Sequence, residues 1–279
     1  MTILSYLPPI LLGWLAGVLV NYLSDVLPWQ RTLTRPFCLA CKQAFPLQNY
    51  LLWPRRCPAC KKPRGLRTWT VEIFFVVAAL WIWQFPPKHL GFGIGLLLLI
   101  FFGVVVVIDM EYRLILHLVS ISGAGLGLVV GVGWRALQWM DKFPDASVYG
   151  AWQPWWYGLW TTLAGGIAGF VSMWLFYALG EGLMRLMARL RGQSVDEVAL
   201  GFGDVNLSGV LGLILGWPVI WIGLFLGVFI GGVVSLVFMV WMLLRRKYHL
   251  FMALPYGPFL VIGATLLIYF RAILVETLR

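Results

Sequence analysis

The four cysteines of the chain form two pairs with the same internal spacing. They are CLAC, residues 38–41, and CPAC, residues 57–60. Thiolate sulfur is a favoured zinc ligand, and a two-residue spacer lets one turn present two thiolates to the same ion. The spacing predicts a closed, structural zinc site formed by Cys38, Cys41, Cys57 and Cys60. Two disulfides or four unligated thiols are the alternatives.

Two carboxylates stand beside long apolar runs. Asp109 ends LLLLIFFGVVVVID (96–109), and Asp204 ends GFGD (201–204) just before another apolar stretch. An ionisable group near membrane depth is costly and is a functional candidate by default. Two carboxylates that share one water differ in protonation, so one takes a proton from the water while the other donates to a scissile carbonyl. Such a pair hydrolyses peptide bonds without a metal, but each acid alone would equally suit a helix cap.

Long apolar segments must position these residues. The chain is 61% hydrophobic and 11% charged, with a mean hydropathy of +0.87, which predicts an integral membrane protein. The apolar runs lack strand-length alternation, so the fold class is an all-α polytopic membrane protein. About eight transmembrane helices are predicted, over residues 3–24, 70–85, 90–108, 118–140, 155–180, 203–217, 219–244 and 254–275. The sixth falls short of the ~20 residues that a full span needs.

The basic residues predict the orientation of the chain. If residues 28–68 lie in the cytoplasm, eight alternating spans place all but five of the 21 Lys and Arg inside, as the positive-inside rule requires. The zinc loop and both carboxylates then lie at the cytoplasmic side. The net charge of +10 is explained by anionic lipid, and nucleic acid is not expected as a partner.

Six stretches together resemble the type IV prepilin peptidase family of membrane aspartic peptidases. GVLVNYLSDVLP (17–28) resembles its first-helix motif, and the paired cysteines follow. RTWTVEIF (67–74) contains an Arg and a Glu that match the entry to its second helix. IDMEYRLI (108–115) and GFGD (201–204) resemble the stretches that carry its two aspartates, and LPYGPFLVIG (254–263) resembles its closing motif.

The resemblance implies a function and a site. Asp109 and Asp204 would be the catalytic pair, and the substrates would be prepilins or pseudopilins with a basic leader and an apolar N-terminal helix. Cleavage would occur at the cytoplasmic face of the inner membrane. The predicted organisation is a first transmembrane helix over residues 1–27, a cytoplasmic zinc-binding loop over 28–68 and a membrane peptidase domain over 69–279.

Many members of this family also methylate the new N-terminus with S-adenosylmethionine. In this chain the cysteines, Arg67 and Glu72 favour that activity. Pro54 and Arg55 stand where small glycines are common in the family, and no glycine-rich fingerprint identifies cofactor-binding residues. Methylation therefore stays an open alternative here.

The chain departs from the family pattern near both aspartates. Leu116 and His117 replace the usual Pro and Asp or Asn, and Asn206 replaces a usual Lys. Asn206 cannot supply the positive charge of a lysine. A non-catalytic member that binds prepilins and a proton-coupled transporter are the competing interpretations. Asp25 has no assigned role.

Overall fold

The computed structural model describes residues 3–38, 40–51, 55–143, 150, 152–191, 201–245 and 255–270. Over these ranges the regular structure is helical, and the extended backbone is limited to two isolated bridges. A short 3₁₀ turn, Ile3–Tyr6, precedes the helices. The α-helices are α1 (Leu7–Gln30), α2 (Leu47–Leu51), α3 (Leu66–Gln84), α4 (Gly91–Tyr112), α5 (His117–Lys142), α6 (Gln153–Arg191), α7 (Phe202–Leu215), α8 (Val219–Leu244) and α9 (Gly257–Tyr269). The predicted all-α class is confirmed.

Each of the eight predicted apolar segments coincides with one of these helices. In the described part of the chain, six helices are long and apolar enough to cross a membrane: α1 together with the end of the preceding turn, α3, α4, α5, α6 and α8. The chain is therefore a multi-pass membrane protein. Helix α7 has 14 residues and α9 has 13, which gives about 20 Å at 1.5 Å per residue. As predicted for the sixth segment, α7 is too short to cross ~30 Å of hydrocarbon alone. Helix α9 is also too short, and it is shorter than its predicted segment, 254–275.

The chain forms two compact units, Met1–Tyr112 and Arg113–Arg279. In the first unit α1 packs along α3 and α4. Gly17 permits the close approach of α1 and α3, because a Cβ there would lie 2.7 Å from the Cα of Glu72. The short helix α2 belongs to the loop between α1 and α3, which carries the cysteines.

The second unit is built around α7. This helix contacts α5, α6, α8 and α9, and most of its side chains are buried. Its contact with α6 is made backbone to backbone, since a Cβ at Gly165 or at Gly212 would overlap the carbonyl oxygen of the other glycine. The helix begins after Gly201 and ends at Gly216, whose φ of 68° suits glycine. A short, enclosed helix thus presents its first turn, with Asp204, at one end of this unit.

Candidate functional site

The two cysteine pairs form two turns of the same backbone design. A bridge between Phe37 and Ala44 encloses the first pair, and a bridge between Arg56 and Pro63 encloses the second, each nineteen residues further on. The amides of Cys38 and Cys57 bond to carbonyls five residues later, at 2.8 and 3.1 Å. The turn is closed in both by a lysine with positive φ, Lys42 at 57° and Lys61 at 56°. The repeated two-residue spacing thus gives two equivalent sulfur-presenting turns.

The four sulfurs meet at one point. All lie within 4.8 Å of one another, and the pairs Cys38–Cys60 and Cys41–Cys57 are 3.6 Å apart. A tetrahedral zinc ion with Zn–S bonds of ~2.3 Å separates its sulfurs by about 3.8 Å, so the four can hold a metal ion such as zinc. The separation is much longer than the ~2.05 Å of a disulfide, and all four are reduced thiols. The predicted cysteine cluster is confirmed.

The thiol pKa values of Cys57 and Cys41 are shifted in opposite directions. A hydrogen bond from the backbone of Cys60 lowers the pKa of Cys57 to about 7. A backbone hydrogen bond from Gln43 favours the thiolate of Cys41, but burial and the three neighbouring thiols raise its pKa to about 11. The crowding of the sulfurs thus disfavours the thiolate of Cys41, a cost that a bound metal cation offsets.

Asp25, which had no role in the sequence interpretation, anchors the loop to α1. The guanidinium of Arg64 lies 2.8 Å from its Oδ2, and the Tyr50 hydroxyl donates to the same oxygen at 2.8 Å. Arg67 pairs with Oδ1 and also with Glu111 on α4. Burial, and then the charge of Asp25, raise the pKa of Tyr50 above its ordinary value. Tyr50 therefore stays a neutral donor, and Asp25 has a structural explanation.

A cavity of about 220 Å³ with several charged residues in its wall lies beside this cluster, within the first unit. Its walls include Cys38 and Phe45 of the loop, charged groups of the Asp25 cluster and the exposed Lys62. Glu72 does not line it. That carboxylate instead pairs with Arg55 at 2.8 Å and accepts a hydrogen bond from Trp14 at 3.1 Å. Of the two residues linked to methylation by resemblance, only Arg67 faces this cavity.

The predicted catalytic carboxylates both lie at helix ends. Asp109 lies in the last turn of α4 and is 5% exposed. Asp204 lies in the first turn of α7 and is 8% exposed. The helix dipole favours a negative charge at the N-terminus and disfavours it at the C-terminus. The two carboxylates are therefore in opposite electrostatic settings within their own units.

The glycines of GFGD shape the surroundings of Asp204. A Cβ at Gly201 would lie 3.5 Å from Oδ2 of Asp204, and a Cβ at Gly203 would lie 2.8 Å from the Cβ of Ile115. Gly203 thus lets the start of α7 pack against the segment that leads into α5. The carbonyl of Asp204 accepts the Ser208 hydroxyl at 2.8 Å, which fixes the first turn of the helix.

Tyr256 is a candidate site residue that the sequence interpretation did not single out. It precedes α9 and is half-buried, and burial, followed by the charge of Asp204, raises the pKa of its phenol to about 12. Its ring packs beside Phe259 and near the backbone of Gly231 on α8. Its position within LPYGPFLVIG was the available signal, but a motif alone does not reveal that the charge of Asp204 acts on its phenol.

Comparison with known proteins assigns the chain to a family. The model of the type IV leader peptidase family matches residues 96–236, just over half of the chain. No curated protein and no solved structure matches it. The matched range contains Asp109 and Asp204 and begins after the cysteine loop. The chain belongs to the type IV leader peptidase family.

Proposed function

We propose that this protein is a membrane aspartic endopeptidase that removes the leader from type IV prepilins or pseudopilins. The observation that carries the proposal is the burial of Asp204 at the start of the enclosed helix α7, in a GFGD turn within the range that matches the family. Asp109 is proposed as the second catalytic carboxylate. The substrate would be a protein with a basic leader followed by an apolar helix.

The opposite helix ends suggest how the two carboxylates divide their roles. Asp204 has the dipole setting that stabilises a carboxylate, by about 0.3–1 kcal/mol, and it is proposed as the base that takes a proton from water. Asp109 has the setting that favours the protonated form, and it is proposed as the acid. The water oxygen bonds to the scissile carbonyl carbon, the C–N bond breaks, and the leaving amine takes a proton.

The orientation and the metal belong to the same proposal. The basic loop, the cysteines and both aspartates are proposed to lie at the cytoplasmic face of the inner membrane, where the leader of a substrate meets its apolar segment. Zinc is the proposed ion, because four thiolates in a closed tetrahedral set are typical of structural zinc sites. Residues 28–68 are proposed as a zinc-binding loop, and residues 1–27 and 69–279 as the first helix and the peptidase domain.

A methyl-transfer activity is a second proposal, which the cavity beside Asp25 favours. S-Adenosylmethionine has a zwitterionic amino-acid end, and the cavity wall carries the exposed cation of Lys62 and the Arg67–Glu111 ion pair. Its volume of 220 Å³ is below the ~300–1,000 Å³ of typical ligand pockets, so these residues would hold one end of the molecule only. The cofactor, when bound, would supply the methyl group for the new N-terminus.

The proposed function is tested by the intact mass of a prepilin co-expressed with this protein. Wild type should remove the leader, and Asp109→Asn and Asp204→Asn should leave it in place. Glu181→Gln is the matched control, because Glu181 is an exposed carboxylate on α6 that pairs only with Arg185 among the described residues. A further mass of one methyl group would support the transferase. Cleavage by either Asn variant at the wild-type rate would refute the carboxylate pair, and an uncut substrate with wild type would favour the non-catalytic alternative.

A further inference from the structure

The last turn of α4, which carries Asp109, is held by side chains from two directions. Glu111 pairs with Arg67 at the start of α3, and the Tyr112 hydroxyl accepts a hydrogen bond from Nε1 of Trp29 at 3.2 Å. The rings of Trp29 and Tyr112 also meet edge to face, with their centroids 6.3 Å apart. Consecutive residues point about 100° apart around a helix, so the two contacts together restrain both the rotation and the lateral position of this turn.

Arg67 is itself fixed on its other side. Its guanidinium also pairs with Asp25, a carboxylate of α1 that is only 4% exposed. The next residue, Thr68, is fixed to α1 as well, because its carbonyl accepts a hydrogen bond from Nδ2 of the buried Asn21 at 3.1 Å. The planar guanidinium suits a bridge between two carboxylates, because its donors point in fixed directions. Arg67 therefore connects a buried group on α1 to the end of α4.

The cysteine loop borders both contacts. Asp25 binds not only Arg67 but also Arg64 and Tyr50 of the loop. On the other side, Nζ of Lys42 lies 5.7 Å from the centre of the Trp29 ring, and Lys42 is the residue that closes the first cysteine turn. The folded loop thus supports the two side chains that hold the end of α4.

A helix end depends on such contacts more than a helix centre does. The last four carbonyls of an α-helix have no partner within the helix, and helix ends open more readily than helix centres. Asp109 lies three residues before the end of α4. Its carboxylate keeps its place only while this turn does, and a shift of about 1 Å in a reacting group can slow a reaction about 100-fold.

We propose that Arg67 and Trp29 are positioning residues for Asp109, and that they transmit the state of the cysteine loop to it. This inference rests on the proposed peptidase function, because it concerns the carboxylate proposed as the acid. Arg67 and Trp29 act on the last turn of α4 through Glu111 and Tyr112. Loss of the metal releases the loop side chains that border the two contacts, and the turn loosens. The loop thereby affects turnover without contributing a group to the reaction.

Amide hydrogen exchange tests the positioning role without any substrate. The full chain, loaded with zinc, is placed in lipid nanodiscs, and exchange is measured by mass spectrometry. Residues 109–112 report on the last turn of α4, and residues 96–104 report on the centre of the same helix. Arg35→Met is the matched control, because Arg35 is an exposed cation of the loop. We expect this control to leave exchange in both ranges unchanged.

Loss of either contact should loosen the last turn alone. Arg67→Met should speed exchange in residues 109–112 about tenfold, since a contact between charged groups is lost. Glu111→Ala should act in the same direction while it leaves Arg67 paired with Asp25, so it decides the case if Arg67→Met also disturbs the helix centre. Trp29→Phe, which keeps an aromatic ring without the donor, should give about 2–10-fold. Unchanged exchange in residues 109–112 for Glu111→Ala and Trp29→Phe would overturn the proposal.

Metal removal tests the link to the loop. A chelator should speed exchange in residues 109–112 of the wild-type protein, and Cys57→Ser should do so without a chelator. The double variant Arg67→Met/Trp29→Phe already lacks both contacts, so the chelator should add little to its exchange. No change in wild type, or an equal further increase in the double variant, would refute transmission through these two residues.

Steady-state kinetics on a synthetic peptide with a basic leader and an apolar segment test the consequence for turnover. Glu111→Ala should lower kcat about tenfold and leave KM within about twofold of wild type, because Asp109 acts in the chemical step rather than in substrate binding. Arg67→Lys keeps the charge but lacks the fork that bridges two carboxylates, so its kcat should fall between those of wild type and Arg67→Met. A raised KM with normal kcat in Glu111→Ala would contradict the positioning role.

The two proposals fail differently. A wild-type protein that does not cut the peptide contradicts the peptidase, while hydrogen exchange still reports whether the two contacts hold the end of α4. Faster exchange in the variants with unchanged kcat contradicts the positioning role alone.

Discussion

Arg55 and Glu72 form a buried ion pair that fastens the cysteine loop to the helices of the first unit. The Arg55 Nη1 donates to both carboxylate oxygens of Glu72, at 2.9 and 2.8 Å, and the side chains are 6% and 5% exposed. The other guanidinium nitrogens donate to the carbonyl of Leu51, at 3.1 and 3.0 Å. The guanidinium also lies over the ring of Trp69.

Breaking this pair on one side should be costly. Arg55→Met or Glu72→Gln leaves the other group buried without its partner, and we expect each to lower the free energy of unfolding by about 3–5 kcal/mol. The double variant should recover much of that loss, since no unpaired charge remains and the Gln still accepts from Trp14. Denaturant titration of the purified protein in detergent measures these differences.

The exposed pair Arg185–Glu181 on α6 is the control for that experiment. Its side chains are 70% and 43% exposed, and exposed pairs on one helix turn contribute only ~0.3–0.5 kcal/mol. Glu181→Gln should therefore be nearly neutral. If Glu72→Gln lowers the free energy of unfolding as little as Glu181→Gln does, the buried pair does not hold the loop in place.

The sequence was sufficient to predict features that depend on local pattern. Hydropathy located all eight apolar helices, because burial in lipid is a property of a continuous segment. The paired spacing of the cysteines predicted their cluster, because each turn is set by hydrogen bonds within six consecutive residues. The number of residues between the two cysteine pairs indicated only that both turns lie in the same loop.

Features that depend on distant residues were not predicted. Glu72 meets Arg55 across 17 residues, and Asp25 meets Arg64 and Arg67 across 39 and 42. A single sequence does not say which of nine loop cations turns inward. The length of α9 was also overestimated, because residues around an enclosed helix are as apolar as those in a spanning one. The partners of Asp25 and the effect of the Asp204 charge on Tyr256 required the structure.

Removal of the metal should unfold the loop without unfolding the spanning helices. Zinc analysis of the purified protein should give one ion per chain, and X-ray absorption should show four sulfur ligands at ~2.3 Å. Cys57→Ser should lose the ion, because its thiol belongs to the tetrahedral set. Protease sensitivity between residues 31 and 65 should then rise, while helical circular dichroism falls only slightly. Full retention of zinc by Cys57→Ser would contradict a four-sulfur site.

Tyr50→Phe should have an effect that is independent of pH across the neutral range. The hydroxyl donates to the Asp25 carboxylate at 2.8 Å and accepts from the Arg64 guanidinium at 2.7 Å, so its loss should cost about 1.5–3 kcal/mol, the range for hydrogen bonds to charged groups. Burial and Asp25 raise the folded-state pKa of Tyr50 above the ordinary value of 10. A raised pKa means that the contribution is complete below pH ~10 and declines only above it.

Unfolding measured at several pH values from 6 to 9 checks this prediction. The difference between wild type and Tyr50→Phe should stay constant over that range. Tyr22→Phe is the control, since the Tyr22 hydroxyl donates to the carbonyl of Thr34 in an exposed setting and should contribute less. If the stability difference between wild type and Tyr50→Phe shrinks between pH 6 and 9, Tyr50 ionises in that range. That result would contradict a pKa raised by burial and by Asp25.

The glycine contact between α6 and α7 should not accept a methyl group. A Cβ at Gly165 would overlap the carbonyl oxygen of Gly212, and the reverse substitution meets the same obstacle. Gly165→Ala and Gly212→Ala should therefore lower the thermal midpoint sharply. Gly133→Ala on α5 has no neighbour within 4 Å of the new Cβ and should be neutral or stabilising, by up to ~1 kcal/mol. Equal midpoints for the three variants would refute this packing.

Tyr256 should matter for turnover more than for substrate binding. Burial and then the charge of Asp204 act on its phenol, which makes Tyr256 a candidate to hold the carboxylate or its attacking water in position. Under the proposed peptidase function, Tyr256→Phe should lower kcat about tenfold, which corresponds to ~1.4 kcal/mol, and leave KM close to wild type. The ring would stay packed beside Phe259, so the thermal midpoint should change little. Tyr157→Phe, at an exposed tyrosine of α6, is the matched control and should retain full kcat. A Tyr256→Phe protein with normal kcat would mean that the phenol is a neighbour of Asp204 without a part in positioning it.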